Sequence, residues 1–273
     1  MAELLEQLQE TAAYIQSQYT QQPTVGIVLG SGLGNFINEI SIEKEIPYSD
    51  IPHFPQSTVK GHSGKMIFGK LNGKTVLVMA GRFHFYEGYT PQQVSYPVRV
   101  MKQLGVQTLL LSNAAGAVNT SYKVGDLMVI TDHISFFTIN PLIGKNEDAL
   151  GTRFPDMSEP YSKKLIEKAK EIGVKYGYNL RQGVYVAVTG PTFETHAEYR
   201  LIKAVGGDVV GMSTVQEAIV ARHGGMDVFA VSVVTDLGIR EDDNIITHEE
   251  VLAAANEAEP KLTNLFKEMV NAL

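Results

Sequence analysis

The sequence predicts an α/β fold with a mixed, largely parallel central sheet, and three observations predict it. Short runs rich in valine, isoleucine and leucine recur along the 273 residues and are typical of buried strands. Between several of these runs, apolar residues recur every three or four positions, which indicates amphipathic helices. No linker, repeat or change in composition divides the chain. Because alternating strands and helices build sheets that helices cover, we expect a single α/β domain over residues 1–273.

The elements follow in order along the chain. An opening helix over about residues 3–19 is predicted because Leu8, Ala12 and Ile15 recur at helical spacing. Seven apolar runs are predicted strands: residues 24–29, 75–79, 108–111, 127–131, 184–188, 208–210 and 228–234. Further helices are predicted over residues 91–104, 161–176, 195–205, 215–223 and after Thr247. Long loops are left at about 135–160 and 237–247, and loops of that length tend to be functional or interfacial.

The overall composition excludes several classes of partner. The net charge is -7, so nothing draws the whole chain to nucleic acid or anionic lipid, and an anionic ligand must be held by a local site. No stretch approaches the roughly 20 apolar residues that span a bilayer. The amino-terminal residues lack the pattern of a signal peptide, and the absence of cysteine excludes disulfides and thiolate chemistry. We expect a cytoplasmic protein that binds neither nucleic acid nor membranes.

Clusters of glycine and polar residues follow most of the predicted strands. In open α/β sheets the ligand crevice lies outside the carboxyl ends of the strands, so we expect these clusters to converge on one site. The clusters are GSGLG at residues 30–34, GRFH at 81–84, NAAG at 113–116, GPTFE at 190–194, GMST at 211–214 and TD at 235–236.

The first cluster favours an anion site. Its glycines let the backbone approach a ligand closely, and backbone N–H groups together with the Ser31 hydroxyl form a cradle for an anion. Considered alone, the cluster has a plain tight turn as its alternative. Asn35 stands where the third glycine of a dinucleotide-binding GxGxxG motif would be, and no lysine completes a P-loop.

The second cluster brings a cation and a histidine together. Arg82, His84 and Tyr86 alternate with phenylalanines, so an extended segment would place the three polar side chains on one face. Arg82 offers a rigid fork of donors that suits phosphate, and His84 or His62 can add a hydrogen bond. The alternative is structural, with Arg82 paired to Glu87 and a histidine hydrogen-bonded in the core.

The fourth and fifth clusters contain groups that suit a heterocyclic base and a sugar. Phe193 offers an aromatic face, Glu194 an acceptor for ring N–H groups, and Ser213 a hydroxyl, with Met212 beside it. Each group also has a structural alternative. Glu194 can cap the helix that begins near Thr195, and Met212 can fill the core.

Taken together, the motifs resemble one family. Residues 24–255 contain, in this order, GSGLG, GHSG, GRFHFYEGY, NAAGAVN, GDLMVITDHI, RFPDMS, GPTFET, VGMSTVQEAIVARH and HEEVLAA. The ordered set closely resembles the trimeric purine nucleoside phosphorylases. The resemblance implies a three-layer α/β/α domain and phosphorolytic cleavage of the N-glycosidic bond of purine ribo- and deoxyribonucleosides, giving a free base and a pentose 1-phosphate. It also implies inorganic phosphate as co-substrate, and no metal or organic cofactor.

The resemblance assigns roles to single residues by their place in the motifs. Six residues look like phosphate ligands: Ser31, His62, Arg82, His84, Ala114 through its backbone N–H, and Ser213. Eight residues look like nucleoside contacts: Tyr86, Asn113, Tyr185, Phe193, Glu194, Met212, Asp236 and His248. The expected catalytic residues are Glu194, Asp236 and His84.

The family is usually a homotrimer in which a neighbouring subunit lends an aromatic side chain to the site. Phe136 or Phe137 is the candidate for that side chain in this chain. Arg153, in RFPDMS, is assigned either to the subunit interface or to an ion pair with Asp156. We therefore expect a homotrimer whose partners are a purine nucleoside and phosphate.

One residue departs from the family pattern. Where the 6-oxopurine enzymes usually carry an asparagine, this chain has Asp236. An ionised carboxylate cannot donate a hydrogen bond, so Asp236 must be protonated when it acts, must face a 6-amino group, or is a loop cap turned away. We expect inosine and guanosine as main substrates, with more tolerance of adenosine than the asparagine-bearing relatives show. A methylthioadenosine- or adenosine-accepting phosphorylase is the alternative, although His248 favours a free 5′-hydroxyl.

Two rival functions come from other classes. The glycine-rich turn after the first strand suggests a nicotinamide-dependent dehydrogenase, and the missing third glycine argues against it. A non-catalytic nucleoside-binding protein would need the same pocket residues, but such proteins are often exported and this sequence shows no signal peptide.

Overall fold

Nine strands form one sheet in the computed structural model, which describes residues 4–56, 58, 63–239 and 246–273. The strands are β1 (Val25–Val28), β2 (Ser41–Pro47), β3 (Lys65–Leu71), β4 (Lys74–Ala80), β5 (Thr108–Ala117), β6 (Leu127–Ile134), β7 (Arg181–Ala187), β8 (Val209–Gly211) and β9 (Asp227–Leu237). The same residues form six α-helices, α1 (Leu4–Gln18), α2 (Pro91–Gln103), α3 (Lys163–Tyr176), α4 (His196–Ala204), α5 (Val215–His223) and α6 (His248–Ala272).

The sheet is open at one edge and closed on itself at the other. Its strand order is β2-β3-β4-β1-β5-β8-β7-β6-β9, and β9 returns to pair with β5, so the last five strands form a ring. Five of the nine pairings are parallel, including those that join β4, β1, β5 and β9. The predicted α/β class with a mixed, largely parallel sheet between helices is therefore confirmed.

The helices form two packed groups around this sheet. Helix α2 contacts both α1 and α5, while α3 packs against α6, and both α5 and α6 contact β9. Helix α5 is buried on nearly every side, as expected of a helix without a solvent-facing polar stripe. Among the described helices, none is both long and apolar enough to cross a membrane.

All seven predicted strands and all six predicted helices are present, but two further strands were not predicted. Strand β2 has the sequence SIEKEIP and is mostly exposed, so it carries no apolar run. Strand β3 has a buried apolar centre that is interrupted by Gly69. Both lie at the open edge of the sheet, where β2 pairs with β3 alone among the strands that the structure describes. An exposed edge strand has little hydrophobic signal in its sequence.

Two central strands are longer than predicted. Strand β5 was predicted to end at Leu111 and β9 at Val234, yet they run to Ala117 and Leu237. The extra residues of β5 pair in parallel with residues 231–237 of β9. The clusters at 113–116 and 235–236 thus lie within strands and do not follow them. The sheet itself carries these polar groups into the site.

Candidate active site

A cavity of about 490 Å³ opens where β1, β4 and β8 end, beside the last residues of β5 and β9. The clusters predicted to converge do so here. Of the fourteen predicted site residues, twelve line the cavity: Ser31, Arg82, His84, Tyr86, Asn113, Ala114, Phe193, Glu194, Met212, Ser213, Asp236 and His248. His62 lies outside the described residues. Residues without a predicted role also line the cavity, among them Thr58, Glu87, Pro191, Thr235 and Val251.

A tight turn after β1 presents Ser31 to the cavity. The backbone N–H of Leu33 donates to Gly30 O at 3.2 Å, and Gly32 has a φ of +73°, in the left-handed region that favours glycine. The Gly30 N–H donates to Ser112 Oγ at 3.2 Å. A Cβ atom on Gly30 would lie 2.8 Å from Ser112 O, so a larger residue would push the turn away from β5. Glycine is therefore what lets this turn lie close against the sheet.

Arg82 is buried below the cavity and held at three of its nitrogens. Nε and Nη2 donate to the two carboxylate oxygens of Glu217 at 3.2 and 3.0 Å, and Nη1 donates to the carbonyl oxygen of Ser112. Only 1% of Arg82 is exposed, yet it lines the cavity. The alternative that paired Arg82 with Glu87 is wrong, because the buried partner is Glu217.

His84 and Glu87 form a second buried pair. One oxygen of Glu87 accepts both from the His84 backbone N–H at 2.8 Å and from Nδ1 at 3.0 Å. Burial alone would raise the pKa of Glu87, but hydrogen bonds from His84 and Thr58 outweigh it and lower the pKa to about 2. An ionised carboxylate only accepts, so Nδ1 carries the hydrogen. Burial lowers the pKa of His84, so the imidazole is neutral near pH 7.

Tyr86 reaches the cavity by a different backbone path from the one predicted. The segment is extended only as far as His84, and Phe85–Glu87 forms a 3₁₀ turn, so the expected alternation of side chains on one face is wrong beyond His84. Tyr86 instead stacks on the His84 ring, with centroids 4.7 Å apart and planes 17° from parallel. Burial raises the pKa of Tyr86 to about 12, so its hydroxyl stays protonated.

Ser213 lies in a strained turn just before α5. Thr214 has a φ of +74°, which is rare for a β-branched residue and costs free energy that the surrounding contacts must offset. The Thr214 hydroxyl is 3.1 Å from Ser213 Oγ and accepts from Asn113 Nδ2 at 2.9 Å. The Ser213 N–H donates to Tyr185 Oη at 3.3 Å. Contacts from two neighbouring strands thus hold Ser213 in place.

Tyr185 lies behind the cavity wall and does not line the cavity. Its side chain is fully buried, and a Cβ atom on Gly211 would lie 2.3 Å from its hydroxyl oxygen. Burial raises the pKa of Tyr185 to about 12. This predicted nucleoside contact therefore lies behind the residues that line the cavity, and it supports the backbone of Ser213.

Asn113 contributes a buried acceptor to the cavity. It is 1% exposed, and its amide nitrogen is used by Thr214. Within the described part of the chain, no donor reaches Asn113 Oδ1. Because buried polar atoms are nearly always hydrogen-bonded in folded proteins, this oxygen suits a donor supplied by a ligand.

The opposite end of the cavity combines an aromatic face with carboxylates. Phe193 is 40% exposed at this end, and burial raises the pKa of Glu194, with a further rise from the nearby charge of Asp236. The helix-cap alternative for Glu194 is wrong, because Thr195 caps α4 and forms a capping box with Glu198. Glu194 lines the cavity instead.

Asp236 is fixed by its place in β9. Gly116 lies opposite it in β5, and a Cβ atom there would be 2.6 Å from Asp236 Oδ2. The Thr235 hydroxyl lies 2.9 Å from Asp236 Oδ1 and donates to it. Glycine at position 116 therefore lets the carboxylate lie against the backbone of β5 while it lines the cavity. The loop-cap alternative is wrong, since Asp236 lies within a strand.

Helix α6 brings His248 to the cavity from the far end of the sequence. Thr247 caps this helix, so His248 is its first residue and lies at the cavity mouth with Val251. The same helix packs against the Ser31 turn, where a Cβ atom on Gly32 would lie 2.7 Å from Ala255 Cβ. One helix therefore borders both the mouth of the cavity and the turn that carries Ser31.

The long loop over residues 135–160 carries the two aromatic candidates. Phe136 is 92% exposed, and Phe137 is 40% exposed. In the same loop, Arg153 donates to Leu142 O at 2.9 Å, while Asp156 accepts from the hydroxyl of Ser158 at 2.6 Å. Arg153 and Asp156 therefore bond to other groups, and the alternative that paired them is wrong.

Sequence reasoning missed Glu217, although a signal for it was present. It is the single acidic residue of α5, whose sequence VQEAIVARH is otherwise largely apolar. A lone carboxylate in a helix buried on all sides needs a buried cation as partner. Glu87 was named only as an alternative partner for Arg82, although it follows His84 by three residues.

The two ends of the cavity suit different parts of one ligand. The end near Arg82, Ser31 and Ser213 presents a guanidinium and hydroxyls, which bind an oxyanion. The end near Phe193 and Glu194 presents an aromatic face and a hydrogen-bond acceptor, which suit a heterocyclic base. The arrangement suits an anion at one end of the cavity and a heterocyclic base at the other.

Comparisons with known proteins agree with this geometry. Residues 24–271 match the family described as the phosphorylase superfamily. The chain is 50% identical over 263 residues to purine nucleoside phosphorylase 1 of Geobacillus stearothermophilus, with 96% of each chain covered. It is 47% identical over 264 residues to the purine nucleoside phosphorylase of Bos taurus, covering 94% of this chain and 91% of that one.

Solved structures give the same result. The structure of a Schistosoma purine nucleoside phosphorylase with hypoxanthine has a TM-score of 0.94 at 43% identity, covering 98% of both chains. The Schistosoma mansoni enzyme with inosine has a TM-score of 0.93 at 42% identity, covering 98% of this chain and 97% of that one. Fold, cavity and relatives agree against the dehydrogenase and binding-protein rivals. The chain therefore belongs to the phosphorylase superfamily, and within it to the purine nucleoside phosphorylases.

Proposed function

We propose that this chain cleaves purine nucleosides by phosphorolysis, with inosine and guanosine as its main substrates. The observation that carries the proposal is one cavity with a buried guanidinium and two serine hydroxyls at one end and an aromatic face with a carboxylate at the other. Solved structures of Schistosoma relatives with guanosine and with inosine support the choice of substrates.

Phosphate binds at the guanidinium end. Arg82 supplies the charge, and its orientation is set before phosphate arrives because three of its nitrogens already have protein acceptors. Preorganised donors stabilise a reacting anion without reorganisation during the reaction. The proposed phosphate ligands are Ser31, His62, Arg82, His84, the Ala114 backbone N–H and Ser213.

The nucleoside binds across the rest of the cavity. Tyr86, Met212 and His248 contact the ribose, with His248 at the 5′-hydroxyl, and Tyr185 acts on this region through Ser213. The base stacks against an aromatic ring and meets two carboxylates and an amide. The proposed base contacts are Phe193, Glu194, Asp236 and Asn113.

The reaction needs no nucleophile from the protein. Phosphate attacks the anomeric carbon, and the electron pair of the breaking C–N bond passes to the purine, so positive charge develops on the ribose and negative charge on the base. Glu194 accepts from the purine N1–H, and a protonated Asp236 donates to N7 of the departing base. Catalysis then rests on positioning and electrostatic stabilisation.

The roles of the two carboxyl groups differ in this proposal. Burial raises the pKa of Glu194, and the nearby charge of Asp236 raises it further. The mechanism needs the proton on Asp236, so that Asp236 donates while Glu194 accepts. His84 is the third proposed catalytic residue, and its neutral ring is oriented by Glu87.

A second candidate function rests on Asp236. An ionised Asp236 accepts from a 6-amino group, so a phosphorylase that prefers adenosine or methylthioadenosine is the alternative. Purine release from inosine and from adenosine, with and without phosphate, separates the two. Phosphate-dependent hypoxanthine release with ribose 1-phosphate as co-product, faster than adenine release, supports the main proposal. Faster adenine release supports the alternative, and release without phosphate indicates a hydrolase.

We also propose that the enzyme is a homotrimer. Large apolar side chains are exposed along the 135–160 loop, where Phe136, Ile143 and Phe154 are 92%, 62% and 86% exposed. Three exposed apolar side chains in one loop favour a place at a protein interface. Phe137 lines a second cavity beside Glu194, so Phe136 is the aromatic side chain with more surface to bury against a neighbour. Light scattering should give three times the 29.9 kDa chain mass, and a monomer would contradict the proposal.

We further propose where the enzyme acts in the cell and that it has a single domain. The chain is proposed to act in the cytoplasm, since a sequence without cysteine is compatible with a reducing compartment. Residues 1–273 are proposed to form one nucleoside phosphorylase domain. Subcellular fractionation tests the first, and a single cooperative unfolding transition in calorimetry tests the second.

A further inference from the structure

We infer that Glu217, which does not line the cavity, is a positioning residue that holds Arg82 in its phosphate-binding orientation. This inference rests on the proposed function, because it takes Arg82 to be a phosphate ligand. It adds a residue that touches neither substrate and acts through the guanidinium group.

The contact between the two residues is bidentate and buried. Arg82 Nε and Nη2 donate to Glu217 Oε1 and Oε2 at 3.2 and 3.0 Å, and the two side chains are 1% and 4% exposed. Two parallel hydrogen bonds fix the plane of a guanidinium group as well as its position. A single hydrogen bond would leave the group free to rotate.

Two further contacts complete the orientation. Arg82 Nη1 donates to the Ser112 carbonyl oxygen, so the guanidinium is held from β5 as well as from α5. Tyr48, 1% exposed, lies near the pair, and its hydroxyl donates to the carbonyl oxygen of Gly81, the residue before Arg82, at 2.8 Å. Contacts from α5 and β5 thus restrict the orientation in which the guanidinium faces the cavity.

Helix α5 links this contact to a second phosphate ligand. Ser213 precedes the helix and Glu217 lies in its first turn, four residues later. Thr214, between them, has a φ of +74° and bonds to Asn113. The start of this helix therefore sets the Ser213 hydroxyl and, through Glu217, the Arg82 fork relative to each other.

A purely structural ion pair would behave differently from a positioning residue. If Glu217 only offset the burial of a charge, its loss would lower stability and leave phosphate affinity unchanged, or strengthen it by freeing the positive charge of Arg82. If Glu217 orients Arg82, its loss weakens phosphate binding while the base end of the cavity is unaffected. The separate KM values for phosphate and nucleoside distinguish these roles.

The first test is Glu217→Gln in the full-length enzyme. An amide keeps one acceptor oxygen but turns a donor toward an arginine N–H, so one of the two hydrogen bonds is lost. We expect the KM for phosphate to rise by about tenfold or more, while hypoxanthine binding in the absence of phosphate stays within about twofold. An unchanged or lower KM for phosphate would overturn the inference.

Three variants keep the test decisive. Glu217→Asp retains the charge but withdraws the carboxylate by one methylene, so it should also raise the phosphate KM, and it replaces the amide variant if that fails to fold. Asp126→Asn breaks the Arg181 ion pair away from the cavity and controls for a general loss of stability. Arg82→Met tests the proposed function itself. If it leaves phosphate KM unchanged, the phosphate site is misassigned; if it raises the KM and the Glu217 variants do not, only the inference fails.

Discussion

Replacing Asp236 with asparagine should shift the enzyme toward 6-oxopurine substrates. The carboxylate lines the cavity, with one oxygen bonded to the Thr235 hydroxyl and the other against the Gly116 backbone. An asparagine has nearly the same shape but always carries a donor, whereas Asp236 donates only when protonated. Asp236→Asn therefore removes the need for a proton when inosine is cleaved, and it removes an acceptor for the 6-amino group of adenosine.

The size of the shift follows from the one hydrogen bond that adenosine loses. A hydrogen bond that involves a charged group contributes about 1.5–3 kcal/mol, and about 1.36 kcal/mol corresponds to a tenfold change in rate. The ratio of kcat/KM for inosine to kcat/KM for adenosine should therefore rise by about 10- to 100-fold in Asp236→Asn. The KM for phosphate should not change, because Asp236 lies at the base end of the cavity.

The assay is steady-state release of hypoxanthine and adenine at saturating phosphate, for wild type and variant. Asp126→Asn, which makes the same chemical change away from the cavity, is the matched control. A ratio that stays the same in Asp236→Asn would refute the reasoning and would mean that another residue selects the base. A ratio that falls would mean that Asp236 already acts as a donor better than an amide does.

Three other substitutions have effects on stability or activity that the structure predicts. The pKa of Glu87 is lowered from 4.5 to about 2, so the stabilising effect of the ionised carboxylate is complete above pH 4.5 and is lost as the pH falls toward 2. The difference in Tm between wild type and Glu87→Gln should therefore shrink below pH 4.5. A Tm difference that stays constant across this range would contradict the prediction. Asn35→Ala removes a 2.7 Å hydrogen bond to the buried carboxylate of Glu259, so it should lower the free energy of unfolding by about 1–3 kcal/mol in urea titrations. It should also raise the KM for phosphate, because the turn that carries Ser31 loosens. Gly116→Ala places a Cβ atom 2.6 Å from Asp236 Oδ2 and should reduce kcat/KM for inosine at least about tenfold with little change in phosphate KM; wild-type kinetics would show that the carboxylate can move aside.

Local sequence patterns were sufficient for most of the elements. The predicted helices over 91–104 and 195–205 are observed as Pro91–Gln103 and His196–Ala204, because helical periodicity and capping act within a few residues. The clusters of glycine and polar residues also placed ten of the predicted site residues at one cavity, since strand ends in such a sheet share an edge. The exposed strand β2 escaped prediction because it has no hydrophobic pattern to detect.

The sequence by itself determined the fold class, the six helices, seven of the nine strands that the structure describes, and most residue types of the site, because each of these depends on short-range patterns. Only the tertiary structure decided which groups meet across long separations. Glu217 pairs with Arg82 across 135 positions, and Asn35 with Glu259 across 224. The tertiary structure also decided that Tyr185 lies behind the cavity wall, because β8 comes between Tyr185 and the site. Such contacts depend on how strands and helices pack, and no local pattern encodes them.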